Sequence, residues 1–425
     1  MDRRTFLELT GLTGIALATA QPGLVRAQGM GDYEGPLFLY VHCGGGWDPT
    51  SFCDPKGADA EDSPNPMNHY LRRDIRRPLN ADGEPERSKI RWAPFGANDA
   101  FFERYWYRLL IVNGLDTSTN NHEAGTRYAA SGELADGHPC FAAMVAAKHG
   151  PKLPLGFVTN GGYDATRGVV GRVRVGSLSA IQRIAFPNQL GEAEQFHSDA
   201  TQTKIQQFHA TRRSRQLSAA SLPRVRKAMT RFGNTRSSDN ELARLVDYLP
   251  NLDDFTTGLG RQGAVALAGY AAGLTVSANL TTGGFDTHGA HDQQHAAALT
   301  NLTTGLDEIW REVDRRDMAD RVTLIVGSDF GRTPGYNEGM GKDHWPVTSM
   351  MLMGAGIRGN RVIGGTDRGH RPMPVDPRTL EPMEGGVNIT PAHVHRALRD
   401  LAGIEGGPLD QAFGIDTDLL PIIDG

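Results

Sequence analysis

The chain has 425 residues, 39% of them hydrophobic, and its 44 Lys and Arg against 49 Asp and Glu leave a formal net charge of −5. That length supports a large core with insertions or a small second lobe, and the mildly acidic balance gives no reason to expect nucleic acid or an anionic membrane as partner. Three cysteines, Cys43, Cys53 and Cys140, form neither a metal-type pair nor an even disulfide set; one bridge in an oxidising compartment would leave a thiol over.

The first residues, MDRRTFLELTGLTGIALATAQPGLVRAQ, carry paired Arg3 and Arg4, a short apolar centre and a small-residue site at Val25-Arg26-Ala27. This is the layout of an export signal over residues 1–27. The paired arginines point to the twin-arginine route and to a periplasmic or exported protein. That route carries folded chains, which suits a protein loaded with metal in the cytoplasm. No later segment approaches the roughly 20 apolar residues needed to span a bilayer, so a soluble mature chain is expected, forming a single α/β domain over 28–425.

Apolar runs at 37–41, 109–113, 274–280, 322–326 and 349–353 have the length and continuity of strands buried on both faces. Cys43 falls at the end of the first and reads as packing. Between the runs lie helical patterns, the clearest being Leu299, Leu302, Leu306, Ile309 and Val313 at spacings of three and four. The alternation predicts a doubly wound, mostly parallel α/β sheet with helices on both faces. From about 161 to 250 the pattern becomes polar and helical in period. It reads as a helical insertion covering one end of the sheet, or as a lobe presented to a partner, with Arg212, Arg213 and Arg215 on a solvated face. GHRPMPVDPRTLEPMEGG must be a long loop. Thr390 as cap, Pro391 at the first turn and Gly403 near the stop define a terminal helix.

Ligands gather at the carboxyl ends of strands in open α/β sheets, and four of these ends deliver chemistry. The first carries Asp48 after Gly44 to Gly46. The second leads into Thr117, Ser118, Thr119, His122 and Glu123. The third leads into Asp286, His288 and His291, and the fourth into Ser328, Asp329 and Arg332, then Asp343 and His344 in GKDHW. Mixed carboxylates and imidazoles with almost no usable thiolate suit zinc or another first-row divalent ion. Two such ions about 4 Å apart can clamp the attacking and leaving oxygens of a phosphoryl or sulfuryl transfer. Thr119, just before a helical stretch, is placed as nucleophile, with His122 or Arg332 steadying the anion. Competing readings stand beside these. Asp48, Thr117, Ser118 and Asn120 could serve as helix caps, His291 and His295 could face solvent at the start of the Leu299 helix, and Trp47 and Trp345 could be core residues rather than a cleft lining.

The export signal, GGWD, NNHEAGTRYAASG, GGFDTHGAHDQQ, SDFGRT, GKDHW and ITPAHVHRALRDLAGI together resemble the twin-arginine-exported bacterial proteins grouped as domain-of-unknown-function family 1501, over nearly the whole mature chain. That family is similar in fold to the alkaline phosphatase and sulfatase superfamily. The resemblance implies one or two metal ions, with Asp48 on the second, Asp286 and His288 on the first, His291 as a rival to His288, His344 as the late ligand and Thr119 near the nucleophile. The superfamily follows the acid at Asp329 with histidine. Here Phe330 follows, which implies a weakened second site.

Two functions follow from this reading. One is a periplasmic metal-dependent hydrolase of small phosphate or sulfate esters, with Asp286, His288 and His344 on one ion and Asp48 and Asp329 on a weaker second. The other is a non-catalytic envelope component that presents its helical insertion to a protein partner; members of the family are often encoded beside another uncharacterised family.

Overall fold

The structure is a computed structural model that describes residues 33–174, 186, 188–189, 194–226, 228–230 and 239–423; the expected export signal over 1–27 lies outside them. In chain order the strands are β1 (Leu37–Cys43), β2 (Leu109–Asp116), β3 (Phe157–Thr159), β4 (Val173–Arg174), β5 (Ser277–Thr282), β6 (Val322–Ser328), β7 (Gly331–Arg332), β8 (His344–Trp345), β9 (Val347–Gly354) and β10 (Arg361–Gly364). Eight of them form one sheet in the order β10-β2-β9-β6-β1-β5-β3-β4, and β7 pairs with β8 in a small separate ribbon.

Continuous apolar runs become central strands because both faces are covered. All seven residues of β1 are buried. Leu37, Leu39 and Val41 join one core with Leu299, Leu302 and Ile309, while Phe38 and Tyr40 join the other with Phe141, Val394 and Leu398. Burying each such side chain stabilises the fold by about 1.5–3 kcal/mol relative to exposure. The helices that matter here are α1 (Asn98–Tyr105), α2 (His122–Ser131), α3 (Phe141–His149), α4 (Asp199–Ala219), α5 (Asp239–Tyr248), α6 (Gly258–Ala271), α7 (His291–Arg315) and α8 (Pro391–Leu401). The leucine stripe of α7 packs on α6 and the sheet. Pro391 opens α8 as expected, and the Thr390 N–H donates to His393 Nδ1 at 3.1 Å.

One strand runs against the rest. β1 is parallel to β5 and β6, β3 to β4 and β5, and β10 to β2, whereas β9 is antiparallel to both β2 and β6. The beginning of β9 therefore lies at the edge of the sheet where the parallel strands end. A residue that precedes β9 thus joins residues that follow β1, β2, β5 and β6.

Two sequence expectations need correction. The three cysteines are all buried as free thiols; Cys43 sits in a core strand, Cys53 lies beside Asn113 and Cys140 beside Asn279, so no pair is positioned to bridge. The helical segment also begins later than residue 161, because 157–174 still contributes β3 and β4 to the sheet. Within that segment α4 buries none of its residues, so this helix does not act as a packed cover.

His395 is fully buried, with Nε2 2.8 Å from the Ala129 carbonyl, and burial lowers its pKa from 6.5 to about 4. The unfolded chain then takes up this proton first as pH falls, so the contribution to stability is whole above pH 6.5 and is lost towards pH 4. We predict that His395→Gln, which keeps a donor for Ala129, reduces the acid sensitivity of the urea midpoint between those pH values by up to about 3 kcal/mol. An unchanged pH slope would refute this.

Candidate metal centre

Two glycines let the site assemble. Gly45 has φ +116°, and a Cβ there would lie 2.4 Å from the Asp286 amide nitrogen; the turn after β1 can touch the turn after β5 only without a side chain. At Gly125 of α2 a Cβ would meet the Asp329 carbonyl at 2.4 Å. This close approach brings the first turn of α2 against the end of β6.

Three imidazoles then converge on one carboxylate. Asp286 Oδ1 lies 3.0 Å from His288 Nε2, 3.2 Å from His344 Nε2 and 3.6 Å from His122 Nε2. His122, Asp286 and His344 each offer an atom within 4.8 Å of the others, and His288 Nε2 is 3.0 Å from His344 Nε2. Every ring is held by its other nitrogen. His122 Nδ1 is 2.7 Å from Asp329 Oδ2, His288 Nδ1 is 2.8 Å from Asp343 Oδ1, and His344 Nδ1 is 2.8 Å from the Asn120 carbonyl. A carbonyl only accepts, as does an ionised carboxylate, so each Nδ1 carries the proton and each Nε2 presents a lone pair inward. Arg332 already answers the carboxylate, but Nε2 lone pairs of neutral rings held this way face one another, an arrangement that a cation among them relieves. Anchored Nδ1 donors of this kind are what orient metal-ligating histidines.

The two acids are poised as anions. Partial burial would raise the Asp286 carboxyl, but the hydrogen bond and charge of Arg332, with the neighbouring imidazoles, hold it at about 2. Asp329 is nearly inaccessible, and burial again opposes ionisation; hydrogen bonds from His42, His122 and the Gly45 N–H hold it below the usual carboxylate range. With Thr126 Oγ1 donating at 3.1 Å as well, the Asp329 oxygens are taken up in positioning His122 and His42. The side chain expected as a metal ligand thus stands behind the His122 ring.

Asp48 is not part of this convergence. Its carboxylate caps the short 3-10 turn Pro49–Ser51, accepting from the Thr50 N–H at 2.8 Å and from Thr50 Oγ1 at 2.6 Å. Lys342 Nζ lies 2.6 Å from Oδ2, and both side chains are fully buried. Burial would raise the Asp48 carboxyl, yet the Lys342 charge holds it well below its ordinary range. An ammonium therefore stands where a second divalent ion was expected. His291 and His295, offered as a rival ligand or solvent-facing residues, are fully buried, stacked on each other at 4.6 Å, and turned towards Asp48.

Arg332 does not face the cleft as an anion clamp. Its side chain is inaccessible, and it donates to the carbonyls of Gly45, Gly46 and Lys342 and, at 2.7 Å, to Asp286 Oδ1. Its planar fork holds Asp286 in place. Thr119 Oγ1 accepts from the Asn121 N–H at 3.2 Å, and Asn121, not Thr117, Ser118 or Asn120, caps α2. Trp47 and Trp345 donate their indole N–H groups to Thr348 Oγ1 and the His370 carbonyl; Trp47 is core. Phe330 is buried, with its ring against His344 and His122 at 4.5 and 4.8 Å.

Sequence reading assigned no role to His42 or Lys342. His42 is the even-numbered neighbour of core residues on β1, and its imidazole at a strand end was a usable signal. Lys342 offered none, since a lysine in a polar loop is normally solvated. Beside His42 and His122 opens a cleft of about 480 Å³, bounded by Thr126, Asn160, Tyr163 and Thr281.

Fold and site together define an α/β protein with a carboxylate and imidazole cluster at the carboxyl edge of its sheet. The chain belongs to the family described as protein of unknown function (DUF1501), whose model matches residues 167–381. That span contains Asp286, His288, Asp329, Arg332 and His344. No curated protein sequence matches the chain. Among solved structures it is similar to Ps i-CgsB in complex with k-i-k-neocarrahexaose, at 6% identity over 92% of this chain and 76% of that one, with a TM-score of 0.40. The lipoteichoic acid synthase LtaP from Listeria monocytogenes gives 8% identity, 88% and 74% coverage and a TM-score of 0.37. TAB5 alkaline phosphatase gives 7%, 75% and 90%, and 0.30. Scores of this size assign no function.

The buried ion pair has a direct test. Lys342→Met leaves Asp48 charged without a partner, which should cost about 3–5 kcal/mol, and adding Asp48→Asn should restore much of it. Urea unfolding of both variants measures this; an unaffected Lys342→Met chain would contradict the pairing.

Proposed function

We propose that Asp286, His288, His344 and His122 hold a single divalent cation, zinc by the preference of this donor set, and that the centre hydrolyses small phosphate or sulfate esters. The observation that supports this reading most directly is the inward set of three Nε2 lone pairs, each fixed by an Nδ1 hydrogen bond. When bound, the ion supplies a Lewis acid that polarises an ester oxygen. Asp343, Asp329 and the Asn120 carbonyl keep the three rings in the ligating tautomer, and Arg332 keeps Asp286 in place. With the ion bound, its charge and that of Arg332 balance Asp286, Asp329 and Asp343, so it is the ion itself that would attract an anionic ester from the adjoining cleft. The Thr119 hydroxyl and a water compete for the attacking role. In this proposal the export signal at 1–27 sites the activity in the periplasm, with the ion acquired before export. A partner-binding role is favoured by a separate observation, the exposure of Phe208 and Leu222 in and beyond α4, and is compatible with an occupied centre.

Elemental analysis of protein exported by its own route should find about one ion per chain, with His344→Ala and His288→Ala each losing most of it. A chain that arrives without metal would end this reading. Wild-type protein should hydrolyse an aryl phosphate or aryl sulfate. If Thr119→Ala loses turnover while keeping its metal, the attack belongs to Thr119; if turnover persists, it belongs to water.

A further inference from the structure

A second concave surface lies at the β2–β10 edge of the sheet. It is a cleft of about 460 Å³, floored by Asn113 of β2 and by Gly364 and Gly365 at the end of β10. Its lining shares no residue with the cleft beside His122. Five cations line it, Arg72, Arg73, Arg77, Lys89 and Arg91, against one acid, Asp54. Such a concentration stands out in a chain whose net charge is −5.

The local charges do not cancel. Asp54 is buried and already paired with Lys56 Nζ at 2.9 Å, and it accepts from Thr366. Arg72, Arg73 and Lys89 meet Asp59, Glu61 and Glu381, but those carboxylates are 66%, 81% and 64% exposed. Solvent-exposed pairs of this kind contribute about 0–1 kcal/mol and yield readily to a better anion. Among the described residues no carboxylate lies within ion-pairing distance of Arg77 or Arg91. Arg91 is nevertheless held in place, because its Nη1 donates to the carbonyls of Ser88 at 2.9 Å and Ile90 at 2.7 Å. Burial lowers its pKa, and the like charge of Arg77 lowers it further. Two guanidinium groups that line one concave surface without a carboxylate partner are stabilised by an anion that both can bind, and their planar forks match phosphate, sulfate and carboxylate oxygens in pairs.

We infer that this cleft is a binding site for a small polyanion, a molecule carrying two or more phosphate, sulfate or carboxylate groups, separate from the imidazole centre. The cleft volume suits a small molecule rather than a chain segment. Several cations acting together favour multivalent over monovalent anions.

Calorimetric titration of the full exported chain with pyrophosphate, and separately with citrate, tests this against chloride at equal ionic strength. One site per chain is expected for at least one of the two polyanions. Arg77→Gln, an exposed substitution that spares the fold, and Arg91→Gln should each weaken it about tenfold, the loss of one charge-assisted contact. His344→Ala should leave the affinity unchanged. Binding that is indifferent to both arginine substitutions, or that disappears with His344, would overturn the assignment, the latter by placing the anion on the imidazole centre. Absence of any polyanion binding would overturn it as well. None of these outcomes bears on whether the imidazole centre holds a metal.

Discussion

The arrangement of the whole edge depends on the Arg332 guanidinium. It is inaccessible to solvent and joins the turn after β1, through the carbonyls of Gly45 and Gly46, to the Lys342 carbonyl and to the Asp286 carboxylate. Segments far apart in the chain are thereby brought together by one planar group whose donors point in fixed directions. A lysine could supply the charge but not this divergence of hydrogen bonds. Because the cation is spent on carbonyls and on Asp286, it serves as an internal brace, and the negative charge of Asp286 is balanced before any ligand arrives.

On that brace rests a deliberate electrostatic conflict. His288 and His344 bring ring nitrogens to 3.0 Å while their opposite nitrogens are committed as donors to Asp343 and Asn120. A protein interior relieves such conflicts where it can, by flipping a ring or protonating it. Here the hydrogen bonds behind each ring oppose the flip, and the cluster remains partly open to solvent. A proton or a metal ion among the rings would relieve the conflict, and rings already anchored from behind would reorganise little to receive either.

Much of this could be read from the chain. The strands at 37–43, 109–116 and 322–328 were visible as continuous apolar runs, because burial on both faces leaves no polar alternation. The stripe on α7 and the Thr390-Pro391 start of α8 were equally plain, being set by local periodicity and capping. Asp286, His288 and His344 could be grouped because each follows or precedes such a run. What could not be read was direction and pairing. Nothing in SMMLM says that β9 runs antiparallel, and only that reversal explains why His344 faces Asp286. His122 was taken as an anion-steadying residue, and its place beside the other rings depends on the glycine at 125, a tertiary contact. Asp48 failed as a ligand for a similar reason: the lysine that pairs with it is 294 positions away in sequence, and pattern reading gives a loop lysine no reason to be buried.

Lys342 also has a consequence for assembly. A covalently attached ammonium cannot be chelated, diluted or exchanged, so the counter-charge for Asp48 is supplied by the chain itself. In small metalloproteins the ion is often part of what folds the chain. In this protein the architecture under the imidazole cluster is neutralised from within, so under the function proposed above the binding of an ion would be a separate, later event. On that reading, a chain folded without metal would keep its architecture.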